Sequence, residues 1–209
     1  MAEHGAKVRD VARLDVARVG KVEETGDRLM PIRLLDGHGV EESAVTEFLH
    51  HMLADDASPA SLRSYAYELL SWHRFLHAVD VPWHLAGRVE ARDFALWLKI
   101  TKKPARQRRP DAPAPGSVNP VTGKATPAES YAARTRRHAR AVIRSFYEYH
   151  REMHGRPLVN PFPAAKGEER PNAHHNPMQP FRSPSRRAAY QPKEPKPAPR
   201  SIPDQAFND

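Results

Sequence analysis

The chain contains no cysteine, which removes disulfides and the cysteine-based zinc modules from consideration. No stretch approaches the roughly 18 to 20 consecutive apolar residues that a membrane span needs. The opening MAEHGAKVRD also lacks the apolar centre of a signal peptide. An untargeted cytoplasmic protein with no membrane contact is the expectation. No G-x-G-x-x-G or G-x-x-x-x-G-K-[ST] loop occurs, so nothing is built to cradle a nucleotide phosphate. The nucleophile elbow G-x-S-x-G is missing as well, which argues against a serine hydrolase. His50 and His51, like His174 and His175, are adjacent rather than four apart, with no carboxylate or cysteine set nearby. Neither a metal site, nor a cofactor, nor a small-molecule substrate is expected.

What is present in excess is positive charge and proline. The 33 basic residues outnumber the 25 acidic ones, giving a net charge of +8 and a pI near 9.9, a balance that suits a polyanionic partner. With 21 prolines and only 39% hydrophobic residues in 209, much of the chain builds no core, and one compact domain with long arms is expected.

Residues 1–40 mix charge and valine without a sustained period, and are expected to form a flexible N-terminal arm with a short strand or two. From Glu41 the pattern turns helical: Val45, Phe48, Leu49, Met52 and Leu53 recur at three- and four-residue steps and form one apolar stripe. A second helix starts at Ser58 as N-cap with Pro59 at its first position, and its stripe runs from Leu62 to Leu76. A third, shorter helix carries Phe94, Trp97 and Leu98 and lasts to about Ile100. Six prolines in residues 103–127 then predict an extended loop. The fourth helix is expected to start at Thr126, where Thr126, Pro127 and Glu129 form a capping box. Its stop signal is Gly155. Nine prolines in residues 164–209 mark a tail without a core. The expectation is an all-α four-helix bundle over residues 41–163, a Pro-rich C-terminal tail after it, and no convincing strand pattern between the helices.

The fourth helix carries the most unusual charge. YAARTRRHARAVIRSFYEYH, residues 131–150, holds Arg134, Arg136, Arg137, Arg140 and Arg144 before its first acid, Glu148. At about 100° per residue, Ala132, Thr135, Ala139, Val142, Ile143 and Phe146 share the buried face. Arg137, Arg140 and Arg144 fall on an adjoining stripe of about two turns. Like charges so spaced repel, so fold stability does not explain them. Phosphate does: arginine presents a planar fork of donors to phosphate or guanine, and a helix fits the major groove of duplex DNA. A merely solvated basic face is the alternative. Arg63, Arg74, Ser61 and Ser64 on the second helix could reach backbone or base edges. Lys102, Lys103, Arg106, Arg108 and Arg109 could add phosphate contacts or simply solubilise the loop.

SPASLRSYAYELLSWHRFL, VEARDFALWLK and RTRRHARAVIRSFYEYHREMHGRPLVNPFP resemble, in order, the N-terminal core-binding, SAM-like domain of tyrosine recombinases, the phage-integrase family, in its actinobacterial form. The resemblance covers residues 43–163. NAHHNPMQPFR and PRSIPDQAFND also resemble the linker to the family's catalytic domain. It implies a helical clamp on double-stranded DNA at a recombination site. Carried over by motif, the DNA-facing set is Ser61, Arg63 and Ser64 on the second helix with Arg134, Arg136, Arg137, Arg140 and Arg144 on the fourth. Tyr65, Leu69, Phe75, Trp97, Ile143, Phe146 and Tyr147 match packing positions.

The family's strand-transfer residues, an arginine, a lysine, a His-x-x-Arg pair and a tyrosine nucleophile, lie in a C-terminal domain expected to begin where residue 209 falls. No histidine here is followed three residues later by arginine, and Tyr190 has no organised cations about it. The expectation is DNA binding without cleavage, with no catalytic residue in this chain and other recombinase subunits as possible partners on DNA. A stand-alone module that regulates an intact recombinase, or a basic RNA-binding protein, is the alternative.

Overall fold

The computed structural model describes residues 9–103, 113–118, 123, 126, 128–163, 190 and 192. Two strands, β1 (Lys21–Glu24) and β2 (Ile32–Leu35), precede four helices, α1 (Ser43–Ala54), α2 (Pro59–Ala78), α3 (Arg88–Ile100) and α4 (Ala133–His154). The protein is mostly helical, but the expectation of an all-α bundle is corrected by the sheet: β1 and β2 pair antiparallel, with Lys21 opposite Leu35 and Glu24 opposite Ile32. Among the described residues no helix is long and apolar enough to cross a membrane.

Local chemistry sets the helix ends. Ser58 caps α2 by accepting the Ser61 N–H at 3.2 Å, ahead of Pro59 at the first position, as the sequence suggested. At the start of α3 the Glu90 carboxylate accepts the Gly87 N–H at 2.9 Å, which occupies one of the donors that a helix start leaves unpaired. α4 ends on Gly155 at φ 66°, a left-handed conformation that glycine adopts without steric cost.

The start of α4 differs from the expected capping box. The Thr126 N–H donates to the Ser117 carbonyl at 2.7 Å, and Glu129 receives the Lys103 N–H at 2.7 Å on its carbonyl. Lys102 and Ser130 form a bridge of antiparallel type, and the Glu129 carboxylate lies 2.9 Å from the Lys102 ammonium. The pairings with Lys102 and Lys103 hold Glu129 and Ser130 against the end of α3, and the helix begins only at Ala133, without a side-chain cap.

The hydrophobic cluster draws on every element. Trp72 of α2 has no exposed surface and lies among Phe75, Phe94, Tyr147 and Phe162, with ring centroids 5.0 to 6.4 Å apart. The N–P–F–P segment after α4 is folded in by Asn160, whose amide donates to the Arg144 carbonyl at 3.0 Å and whose side-chain oxygen accepts the Phe162 N–H at 2.9 Å. Of the expected packing positions, Leu69, Phe75, Ile143, Phe146 and Tyr147 are buried, while Tyr65 and Trp97 pack partly buried against the cluster. On α4, Ala139, Val142, Ile143 and Phe146 occupy the expected buried face.

The region expected to be an arm is packed from residue 9 onward. Ile32 and Leu34 belong to the same cluster as the helices, because the alternation of β2 turns them inward. Arg74 of α2 holds the approach to β1, donating to the Val19 carbonyl at 2.7 Å and the Gly20 carbonyl at 2.8 Å. Gly20 sits at φ 71°, and a Cβ there would stand 2.6 Å from the Leu35 carbonyl oxygen; no other residue fits without moving the hairpin. Further upstream, Arg9 reaches Asp93, whose side chain is 2% exposed, at 3.0 Å.

Tyr147 tests this packing. Its hydroxyl accepts from Trp72 Nε1 at 3.1 Å and donates to the Trp83 carbonyl at 2.6 Å. Tyr147→Phe leaves a buried donor and an acceptor unsatisfied, and is expected to lower unfolding free energy by about 1 to 3 kcal/mol. Urea denaturation checks it; an unchanged midpoint at equal slope would refute the role given to this hydroxyl.

Candidate nucleic-acid interface

α2 and α4 meet near their beginnings. Ser64 Oγ lies 3.0 Å from His138 Nε2, and the Tyr65 and His138 rings meet edge to face with centroids 5.8 Å apart. The sequence-predicted residues of both helices are therefore brought to one region, but they do not all face outward. Ser61 lies with its hydroxyl 3.0 Å from that of Ser58, where it serves the helix start. Arg63 is exposed and ion-paired with Glu24 of β1, an acid contributed by the hairpin. Ser64 is exposed and held by His138.

On α4 the arginines divide. Arg134 and Arg137 are exposed, and Arg136 is half-buried, with no hydrogen-bond partner for its Nε among the described residues. Arg140 is only 7% exposed, and its guanidinium donates to the Pro163 carbonyl at 2.8 Å. Burial, with Arg144 nearby as the lesser cause, lowers its basicity. Arg144 pairs with Glu148 one turn on, at 2.9 Å. The expected exposed stripe of Arg137, Arg140 and Arg144 thus does not form: the N–P–F–P segment covers its middle, and an acid in the next turn takes its end. Arg74, expected to reach outward, is committed to the carbonyls before β1.

Two hollows flank the start of α4. A cavity of about 200 Å³ lies between α3 and α4, lined by Phe94, Leu98, Arg136, Arg140 and Phe162 and approached by Tyr190. A wider cleft of about 520 Å³ is lined by Arg18, Glu68, Arg74, Lys102, Tyr131 and Arg136. Of its basic walls, Arg74 and Lys102 are already paired within the fold, and Glu68 adds an acid, so the cleft is of mixed charge. The loop lysines add less than the sequence suggested, since Lys102 pairs with Glu129 and Lys103 donates to the Ala128 carbonyl at 3.1 Å. Arg106, Arg108 and Arg109 lie outside the described residues, as does the Pro-rich tail apart from Tyr190 and Pro192.

Three participants escaped the sequence reading. His138 stands four residues after Arg134, a spacing that places both on one helix face. Arg18 carried no signal, because only the fold of the N-terminal segment brings it to the cleft. Glu68 sits three residues beyond Tyr65 on α2, and burial pushes its carboxyl up to about 7. No protein-family model, curated protein or solved structure matches the chain in comparison searches.

Glu68 generates a pH prediction. Its folded pKa lies above the unfolded value near 4.5, so the folded state holds the proton more tightly. The group costs nothing below the unfolded pKa; stability falls as pH rises through about 7 and the full penalty stands above it. Glu68→Gln is expected to raise unfolding free energy at pH 8 by about 1 to 3 kcal/mol and to change it far less at pH 4.5. Denaturation of both proteins across that range checks it; a pH-independent difference would show that Arg18, Arg74 and Arg136 offset the burial.

Proposed function

We propose that this chain binds duplex DNA without cutting it, using the beginnings of α2 and α4 against the phosphate backbone. The observation that carries the reading is the placement of Arg134 and Arg137 on the exposed side of α4, at the point where Ser64 and His138 join the two helices. A helix that presents guanidinium groups beside a second helix with hydroxyls and Arg63 matches phosphate-backbone chemistry. The net charge of +8 supports a sequence-independent electrostatic share of the affinity.

The finer reading is that of a core-binding, SAM-like domain of a tyrosine recombinase, engaged at a recombination site in DNA integration. Four helices in the expected order and the motif positions at the start of α2 and along α4 support it, and the β1–β2 hairpin is an addition to that plan. Strand transfer is not assigned to these 209 residues, since none of their histidines begins a His-x-x-Arg pair. In this reading the partners are double-stranded DNA and other recombinase subunits, and the setting is the cytoplasm of the cell that holds the DNA. In this reading Arg134, Arg136, Arg137, Arg63 and Ser64 are the contact residues, while Ser61, Arg140 and Arg144 serve to shape the face.

Fluorescence anisotropy with a labelled duplex tests the proposal. Affinity is expected to fall steeply with salt, and the double variant Arg134→Ala, Arg137→Ala to weaken binding about tenfold or more and reduce the log–log salt slope by about 2. Arg140→Ala is expected instead to lower thermal stability, with little change of slope. Equal affinity and slope in the double variant would sink the α4 assignment, and tighter binding to an A-form RNA duplex would favour an RNA partner.

A further inference from the structure

Apart from the basic face, the far end of α4 gathers a second set of functional groups. His150 and His154 lie four residues apart on α4, and Glu47 faces them from α1; their ligand atoms all fall within 4.8 Å of one another. Two histidines so spaced on a helix are a metal-binding pattern with a geometric basis, because i and i+4 share one face.

The hydrogen bonds around these residues orient them as ligands. His150 Nε2 lies 3.0 Å from the Ala44 carbonyl oxygen. A carbonyl only accepts, so Nε2 carries the proton and Nδ1 keeps its lone pair. A ligating histidine whose other nitrogen donates to a backbone carbonyl is the usual arrangement that fixes ring and tautomer. His150 is 3% exposed and wedged against Trp83 and Phe146, so its direction is set by packing. Glu47 Oε1 accepts the Tyr149 hydroxyl at 3.0 Å and stands 2.6 Å from His154 Nε2. Those two side chains are 43% and 49% exposed. In a tetrahedral site with metal–nitrogen distances of about 2.0 to 2.1 Å, ligand atoms stand roughly 3.3 Å apart. To reach that spacing the His154–Glu47 contact opens by less than about 1 Å, and the wider separations, all within 4.8 Å, close by about 1.5 Å or less; the two exposed side chains carry that movement.

We propose that Glu47, His150 and His154 form a binding site for a borderline divalent transition metal, zinc foremost, which ties α1 to α4. Two imidazoles and one carboxylate suit zinc, nickel or cobalt and not the oxygen-seeking magnesium or calcium. The three ligands leave a fourth position for water. His50 and His51 offer nothing comparable, since neighbours on a helix point apart.

The test uses the full chain, stripped with EDTA. Zinc at about a hundred times its dissociation constant is expected to raise the melting temperature by about 5 to 10 °C, while the same magnesium concentration leaves it unchanged. Cobalt is expected to give the visible absorption of a four-coordinate ion. His154→Gln and Glu47→Gln, both at exposed positions that the core does not need, are expected to abolish the zinc shift and the cobalt spectrum. His174→Gln with His175→Gln is expected to leave both intact. The site is overturned if zinc gives no shift, if the shift survives in His154→Gln, or if removing His174 and His175 abolishes it.

Discussion

The rest of the structure depends on the hydroxyl of Tyr147. Trp72 is the largest fully buried side chain in the cluster, yet it carries an indole N–H that cannot be left unpaired in a dry interior without a penalty of about 1 to 3 kcal/mol. The Tyr147 hydroxyl takes that proton donor and passes its own to the Trp83 carbonyl, in the turn between α2 and α3. One oxygen on α4 therefore satisfies α2 and fixes the connection to α3. Burial pushes the Tyr147 phenol far up, which favours the protonated form that donates to Trp83. With three helices placed by this relay, the aromatic rings around Trp72 settle into edge-to-face and offset contacts, which add to the area they remove from water.

The arginines show how one residue type is divided between architecture and exposed surface. Arg74 holds the N-terminal segment through two short bonds to backbone carbonyls. Arg140 holds the segment after α4 through Pro163. Arg9 and Arg92 neutralise the buried Asp93, which would otherwise be an unpaired charge in the core. For Arg74 and Arg140 a planar fork of donors crosses from a helix to an irregular segment whose carbonyls have no ladder partner. On α4, Arg134 and Arg137 are exposed, and Arg136 is half-buried between two hollows. Positive charge in the sequence therefore overstates the recognition surface, because part of it replaces hydrogen bonds that loops cannot make for themselves.

The same division explains what could be seen in the sequence. Ser58, Pro59 and Gly155 announce helix ends because capping is local, and the buried faces of α2 and α4 follow from period alone. The capping box at Thr126 was misleading, since Lys102, Lys103 and Ser117 compete for the same backbone groups from outside any sequence window. The hairpin was legible only as a short strand or two, since β1 is four residues of mixed character and its packing depends on Arg74, more than fifty positions away. Arg140 looked exposed by angle, and the covering Pro163 is 23 residues on. The i, i+4 spacing of His150 and His154 is visible in the sequence, but Glu47 completes the set only through the contact of α1 with α4.

The two sites assigned to α4 lie at its opposite ends. From Arg134 to His150 is 16 positions, which at about 1.5 Å per residue is roughly 24 Å. That exceeds the Debye length of about 10 Å at 0.1 M salt, so the charge of an ion at Glu47, His150 and His154 is largely screened at the basic face. Any influence between them must be carried by the helix itself. α4 is held at its start by Ser64 through His138, at its middle by Trp72 through Tyr147, and at its end by α1 through Glu47. A metal would strengthen only the last of these, and with it the orientation of α1 beneath the hairpin. The basic face takes its geometry from the first two, and so from α2 and the core rather than from the metal.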